Sequence, residues 1–235
     1  MSVFVLSACS GDKEVDDPEI TCEDIDTASQ SALVNEHPEI SMPAAELYTG
    51  DEHESVKEAV EQFSEMADVD WRIISAGFGL VRPETELPAY ECTFNDNDAV
   101  RRRVARLGYD PSDLTKAGRI QVVADELGIP RDIEQCLSDG PDVMFGVLGE
   151  EYLLSTGSAL SSIPNTTTAF AFAAKGTRDL IGECQWVPST ATEREALGTT
   201  WMRLKGRQLR NVARNLTSVT EVQSAEDIRE LSLRE

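Results

Sequence analysis

Short apolar runs closed by Gly, Ser or Pro punctuate the chain, and such runs mark buried strands. They lie at Val3 to Ala8, Trp71 to Ala76, Val143 to Val147, Thr168 to Ala174 and Cys184 to Val187. Between the first two, an acidic, Pro-containing loop over residues 10–43 precedes Ser55 to Met66, where Val56, Ala59, Val60 and Phe63 recur at helical spacing. A buried strand, a long connection with a helix and a second buried strand make a parallel unit. The pattern therefore predicts an α/β fold, with a mostly parallel central sheet flanked by helices and its working loops at the carboxyl ends of the strands.

The other periodic segments read as helices. Asn97 or Asp98 can cap one with Val100, Val104 and Leu107 on one side and Arg101, Arg102, Arg103 and Arg106 on the others. Leu114 to Leu127, a Gly128-Ile129-Pro130 turn and Arg131 to Leu137 predict two more. Residues 97–140 thus form a helical insertion between the two halves of the α/β domain, 1–96 and 141–217. The cadence around Gly128 is that of a helix-turn-helix or helix-hairpin-helix, but Asp132, Glu134 and Asp139 would repel phosphates, which favours a plain helical subdomain. A long helix is predicted from about Thr192 to Leu216, with Arg203, Arg207, Arg210 and Arg214 on one face. Those guanidiniums either bridge the protein's own carboxylates or track the phosphates of a nucleic acid. Residues 218–235 read as a frayed acidic tail.

The 43 acidic and 21 basic side chains give a net charge of −22, and 24 of the acids but only 4 of the bases lie in residues 1–99. With 16 Arg against 5 Lys, the composition is like that of proteins from hypersaline cytoplasm. A Debye length of about 3 Å at 1 M salt would then mute long-range repulsion of phosphate, so the total excludes no nucleic acid. The competing account is an acidic face built for a basic partner. No run approaches the ~18 apolar residues of a membrane span. Leu6-Ser7-Ala8-Cys9 matches a lipoprotein cleavage pattern but follows no positive charge, so it reads as a buried strand of a cytoplasmic protein. Five cysteines without a Cys-x-x-Cys pair, and His37 and His53 unsuited to complete a zinc site, predict free thiols, no metal and no cofactor.

Two loops carry candidate chemistry. Cys9-Ser10-Gly11-Asp12-Lys13 joins backbone N–H groups, a hydroxyl and an ammonium, which suits an anion; an ordinary turn is the simpler account. It lacks the glycines and Lys-Ser/Thr pair of a Walker loop. Ser75-Ala76-Gly77-Phe78-Gly79 sets an aromatic between glycines, where Phe78 either stacks on a nucleobase or joins the core.

Together with Pro43-Ala44-x-Glu46-Leu47-Tyr48-Thr49-Gly50, Trp71 to Val81, Pro83 and Pro88-x-Tyr90, these loops resemble a group of proteins related to the peroxide-stress YaaA family. More distantly they are similar to the base-modifying domain of archaeosine synthase. Phe145 to Gly149, Tyr152-Leu153, Lys175-Gly176 and Lys205-Gly206 extend the likeness loosely. The resemblance implies a sandwich similar to uracil-DNA glycosylases, a ligand at the strand ends, and a nucleobase, DNA or tRNA as partner. It assigns catalysis to Asp12, Lys13, Asp16 and Ser75, with Asp96 a further candidate carboxylate. Ligand contacts fall to Cys9, Ser10, Gly11, Tyr48, Gly77, Phe78, Gly79 and Tyr90, with Phe78 and Tyr90 sandwiching the base, and strand binding to the four arginines. The chain departs from archaeosine synthase after Lys13, where Glu14-Val15-Asp16-Asp17 follows. Three functions result: an enzyme excising or modifying a nucleobase, a non-catalytic DNA-binding stress protein, or an acidic interaction protein.

Overall fold

A computed structural model describes residues 1–222 and 224–234. The elements up to the first helical layer are β1 (Ser2–Ala8), α1 (Cys22–Thr27), α2 (Gln30–Glu36), β2 (Ser41–Pro43), α3 (Ala44–Leu47) and α4 (Asp51–Ser64). Next come β3 (Asp68–Ser75), β4 (Gly79–Val81), β5 (Glu86–Pro88), α5 (Asn97–Arg106), α6 (Lys116–Glu126) and α7 (Ile129–Ser138). The chain continues through β6 (Val143–Val147), α8 (Glu150–Ser155), β7 (Thr168–Ala173), β8 (Gln185–Pro188), α9 (Ala191–Ala196), α10 (Leu204–Asn215) and α11 (Ala225–Ser232).

Six strands form one sheet in the order β4-β3-β1-β6-β7-β8, and β2 pairs with β5 in a small separate ribbon. All neighbours in the large sheet are parallel except β4, which returns antiparallel beside β3. Parallel strands are covered on both faces and carry apolar side chains on both. Val5, Phe145 and Phe172 point to one face, where they meet Val56 and Phe63 of α4 and Leu209 and Val212 of α10. Phe63 stacks on Phe145 with ring centroids 5.2 Å apart. Phe4, Leu6 and Met144 point to the other, covered by Val104 of α5, Ile120 and Val123 of α6, and Ile133 and Leu137 of α7. The helices of residues 97–140 are therefore the second layer of the fold, and the pair around Gly128 turns its apolar side to the sheet.

Several expectations are corrected. The predicted helix from Thr192 to Leu216 is two helices, because Gly198 takes a left-handed φ of 54° just beyond the end of α9 and stops it. The supposed tail contains α11, which is capped by Ser224 and buries Ile228 and Ser232, with Asn211 of α10 donating to the Ser232 carbonyl at 3.1 Å. The loop over residues 10–43 contains α1 and α2, whose caps are Thr21 and Ser29. The cap of α5 is Asp96, which accepts from the N–H groups of Asp98 and Ala99. Cys22 and Cys92 form a disulfide, leaving Cys9, Cys136 and Cys184 free. The two sulfurs meet because the backbone of Glu91 donates to Ile20, folding the acidic loop onto the segment after β5.

The joint between α4 and α10 is close enough to require glycine. A Cβ on Gly206 would lie 2.5 Å from the Glu52 carbonyl oxygen. At a free helix position Gly206→Ala would stabilise by about 1 kcal/mol through propensity. Here the substitution should destabilise by about 1–3 kcal/mol through overpacking. A lower urea midpoint is expected, and a higher one would show that the two helices have slack.

Candidate functional site

Among the parallel strands alone, the spatial order is second, first, third, fourth, fifth in sequence, the doubly wound arrangement. Connections leave β1 and β6 toward opposite faces, and in such sheets the crevice outside their carboxyl ends is where ligands bind. A cavity of about 220 Å³ lies there. Its walls are Cys9 to Asp12 after β1, Gly50 to His53 at the start of α4, and Gly149, Glu151 and Tyr152 around the start of α8. Ala8, Asn95, Met202 and Lys205 complete it, and an adjoining hollow of about 240 Å³ toward β7 and β8 shares Gly149 and Lys205. Each part is below the roughly 300–1,000 Å³ of drug-sized sites, so each suits one ring or small polar group.

The turn after β1 is pressed against the start of α4. The Gly50 N–H donates to Ser10 Oγ at 3.2 Å and the Thr49 N–H to the Asp12 carbonyl at 3.1 Å. A Cβ on Gly50 would come 2.7 Å from that of Ser10, so glycine is needed for the approach. Cys9 Sγ lies 3.1 Å from Tyr152 Oη. Burial, then the adjacent thiol, raises the Tyr152 hydroxyl well above its usual range, so it stays protonated. Asp12 is exposed at the rim and has no ion pair among the described residues.

His53 is the unforeseen member. It is only 2% exposed, lines the cavity, and neither Nδ1 nor Nε2 makes a hydrogen bond of normal geometry. Tyr48 packs edge-on against it and Trp71 lies tilted beside it, at 5.5 and 5.2 Å between centroids. Burial lowers its pKa to about 4, outweighing the Ala45 carbonyl that favours a ring proton, and Lys57 adds to the lowering. The sequence held a signal: His53 continues the stripe of Val56, Val60 and Phe63 back by one turn.

Other expected site residues go elsewhere. The Lys13 ammonium folds back to the Gly11 carbonyl at 3.1 Å and sits 4.9 Å over the Tyr90 ring, so it does not line the cavity and the expected anion nest lacks its cation. Ser75 is fully buried; its Oγ accepts from the N–H groups of Gly77 and Phe78 and bonds Tyr90 Oη at 2.7 Å, a turn-holding role. Tyr90 Oη also bonds Tyr48 Oη at 2.8 Å, and both tyrosines are fully buried. Phe78 meets Tyr90 edge-on, with planes 89° apart and centroids 5.0 Å apart, so these two rings form no slot for a base. Gly77 and Gly79 pack against Ile25 and the Leu127 carbonyl respectively, Asp16 is exposed outside the cavity, and Asp96 is a helix cap.

The arginine stripe is engaged by the protein itself. Arg203 pairs with Asp51 at 2.7 Å, while Arg210 and Arg214 both reach Glu58, at 3.5 and 2.9 Å. Arg207 is not free either. Lys205 completes the ladder by binding Glu52 at 2.9 Å. The basic face of α10 thus lies on the acidic face of α4, which corrects the expectation of a stripe open to phosphates. Among the described residues no group of three His, Cys, Asp or Glu is placed to hold a metal ion, and no helix is long and apolar enough to cross a membrane.

The buried imidazole fixes a pH response. His53 has an ordinary pKa of 6.5 and a folded value of about 4, so the unfolded chain takes the proton first as pH falls. Stability present above about pH 6.5 is therefore lost between there and about pH 4, by on the order of 3 kcal/mol from this group. In paired thermal melts, the melting temperature of His53→Phe should rise relative to wild type as pH drops through this window. Parallel curves would show that His53 is not held neutral.

Residues 32–107 match a family of unknown function, DUF6884. The matched stretch is less than half of the chain; it runs from α2 past the end of α5 and takes in Gly50, His53 and the Ser75 to Tyr90 segment, but not the Cys9 turn. No curated protein and no solved structure matches the chain.

Proposed function

We propose that this protein is an enzyme acting on a nucleobase in the cleft between β1 and β6, with excision of the base from its sugar as the favoured reaction. The observation that carries the reading is the convergence on one small cavity of the Asp12 carboxylate and the Cys9 thiol, with the buried His53 ring in its wall. Base size suits the cavity, and the adjoining hollow leaves room for a sugar.

Glycosidic cleavage develops positive charge on the sugar, and carboxylates facing that charge stabilise it. Asp12, Asp51, Glu52 and Glu151 all line the cavity; Arg203, Lys205 and Lys116 pair with the last three, which leaves Asp12 as the carboxylate to meet that charge. In the proposed step the bond from sugar carbon to base nitrogen breaks and its electron pair leaves with the base. Water adds to the sugar carbon and loses a proton to Asp12, while the departing base takes up a proton from solvent, so atoms and charge balance. Cys9 with Tyr152 forms the polar floor, and the His53 ring closes the wall behind it. Modification of the base is the alternative chemistry that the same groups allow. The strand-binding reading loses its main support, because the arginines proposed for it are paired with Asp51 and Glu58.

Mass spectrometry of products tests the reading, using nucleosides, DNA and tRNA incubated in 1 M KCl with wild type and with Asp12→Asn. Free base is expected from wild type, with the rate down by about 10²-fold or more in the variant, the usual size of a general-base contribution. Neither free nor altered base from any substrate would remove the proposal, and equal rates would remove Asp12 from it.

A further inference from the structure

We infer that the hollow beside the cavity is a ribose subsite, in which the Trp201 ring packs on the carbon face of the sugar and the Glu150 carboxylate accepts from its 2′- and 3′-hydroxyls. This rests on the nucleobase reading above and narrows its substrate class to ribonucleosides.

Position and shape carry the first half. The hollow of about 240 Å³ joins the base-sized cavity through the wall residues they share, Gly149 and Lys205, so a sugar attached to a base in the cavity has its room there. Trp201 stands in its wall and is 53% exposed, although a side chain of that size is normally buried over most of its surface. The Arg194 guanidinium lies 5.0 Å over the indole but is not part of the wall, so it steadies the ring without filling the hollow. An indole left bare beside a hollow offers a flat apolar surface, and the carbon-bound hydrogens on one face of a sugar ring match it.

The polar groups of the wall carry the second half. The Lys205 ammonium is bound to Glu52 at 2.9 Å. Thr177 and Ser189 are buried, and their hydroxyls donate to the Ala174 carbonyl and to Gln208 at 3.1 and 2.6 Å. Glu150 is exposed and in no ion pair among the described residues, so its carboxylate is the side chain free to meet a ligand. A carboxylate accepts and does not donate, and its two oxygens can take two neighbouring hydroxyls at once. Ribose presents such a pair, and deoxyribose keeps only one of the two.

Titration calorimetry in 1 M KCl at pH 8 decides the matter, with adenine, guanine, cytosine and uracil, their ribonucleosides and their 2′-deoxyribonucleosides. Every protein carries Asp12→Asn, so that no nucleoside is consumed. At least one ribonucleoside should bind about tenfold more tightly than its 2′-deoxy counterpart, the value of one hydrogen bond to a charged group, and adding Glu150→Gln should cut that ratio to about twofold with the free base bound as before. Adding Trp201→Ala should weaken both nucleosides about fivefold, again without effect on the base. The emission that Trp201→Phe removes should shift on adding the nucleoside and not on adding the base. Ribose and deoxyribose forms bound alike, or a ratio that Glu150→Gln leaves unchanged, would overturn the ribose assignment. Nucleosides bound no more tightly than bases, with the Trp201 emission unmoved, would overturn the subsite, while base release by the unmutated protein would leave the proposed function standing. If Trp201→Ala does not fold, the emission and the Glu150→Gln comparison decide. No binding by any base or nucleoside, together with no base released, would sink both this inference and the function it rests on.

Discussion

The reversal of strand order beside β1 governs where everything else can go. Because β3 lies on one side of β1 and β6 on the other, the chain leaving β1 and the chain leaving β6 must diverge across opposite faces. The gap is then closed by whatever each connection places next to the sheet. From β1 the chain returns to the sheet through α4, whose first residues abut Ser10; from β6 it enters α8, whose first turn supplies Glu151 and Tyr152. Gly50 and Gly206 let backbones approach on two sides of α4, one toward the turn and one toward α10, so the helix that carries His53 is fixed from both.

Charge that is separated along the sequence is reunited in space. The excess of acid in the first part and the arginines of the last helices look like two independent surfaces when read linearly. Folding lays them against each other as α4 on α10, with Arg203, Lys205, Arg210 and Arg214 each reaching a carboxylate of α4. Such half-exposed pairs contribute roughly 0–1 kcal/mol each, so their value lies in setting the register of the two helices more than in holding them together. The apolar contacts of Val56, Leu209 and Val212 with the sheet supply the cohesion.

The five parallel strands were legible because each holds a short, mostly apolar run; β6 falls on the predicted residues, while β3 begins at Asp68, ahead of its run, because Asp68 and Asp70 hide its start. The ribbon of β2 and β5 was not, since strands of three residues offer too few positions to show alternation. The break after α9 was written in Gly198 but hidden by Leu197, Trp201 and Leu204, whose helical spacing runs across it into the arginine stripe. At the cavity, Cys9 to Asp12 lie where the expectation that working loops follow the strands put them, whereas the start of α4 at Gly50 was outside that expectation. Phe78, Tyr90 and Ser75 failed as ligand contacts because residue type alone does not say which side of a turn faces solvent. His53 was missed for the converse reason: a histidine among acids reads as surface until the helical phase shows it facing inward.

The hydroxyl chain beneath the second loop also has a direction. Ser75 Oγ already accepts two backbone N–H groups, which occupy both of its lone pairs, so its own hydrogen must go to Tyr90. Tyr90 in turn has only Tyr48 to receive its hydrogen, and the three hydroxyls are aligned one way, from Ser75 to Tyr48. Burial keeps both phenols protonated, so the alignment cannot relax by ionisation. Aligned hydroxyls polarise one another, which leaves Tyr48, the residue whose ring packs edge-on against His53, as the receiving end of the chain. A backbone turn at Gly77 and Phe78 thereby sets the polarity of a hydrogen-bond chain that ends against the cavity wall.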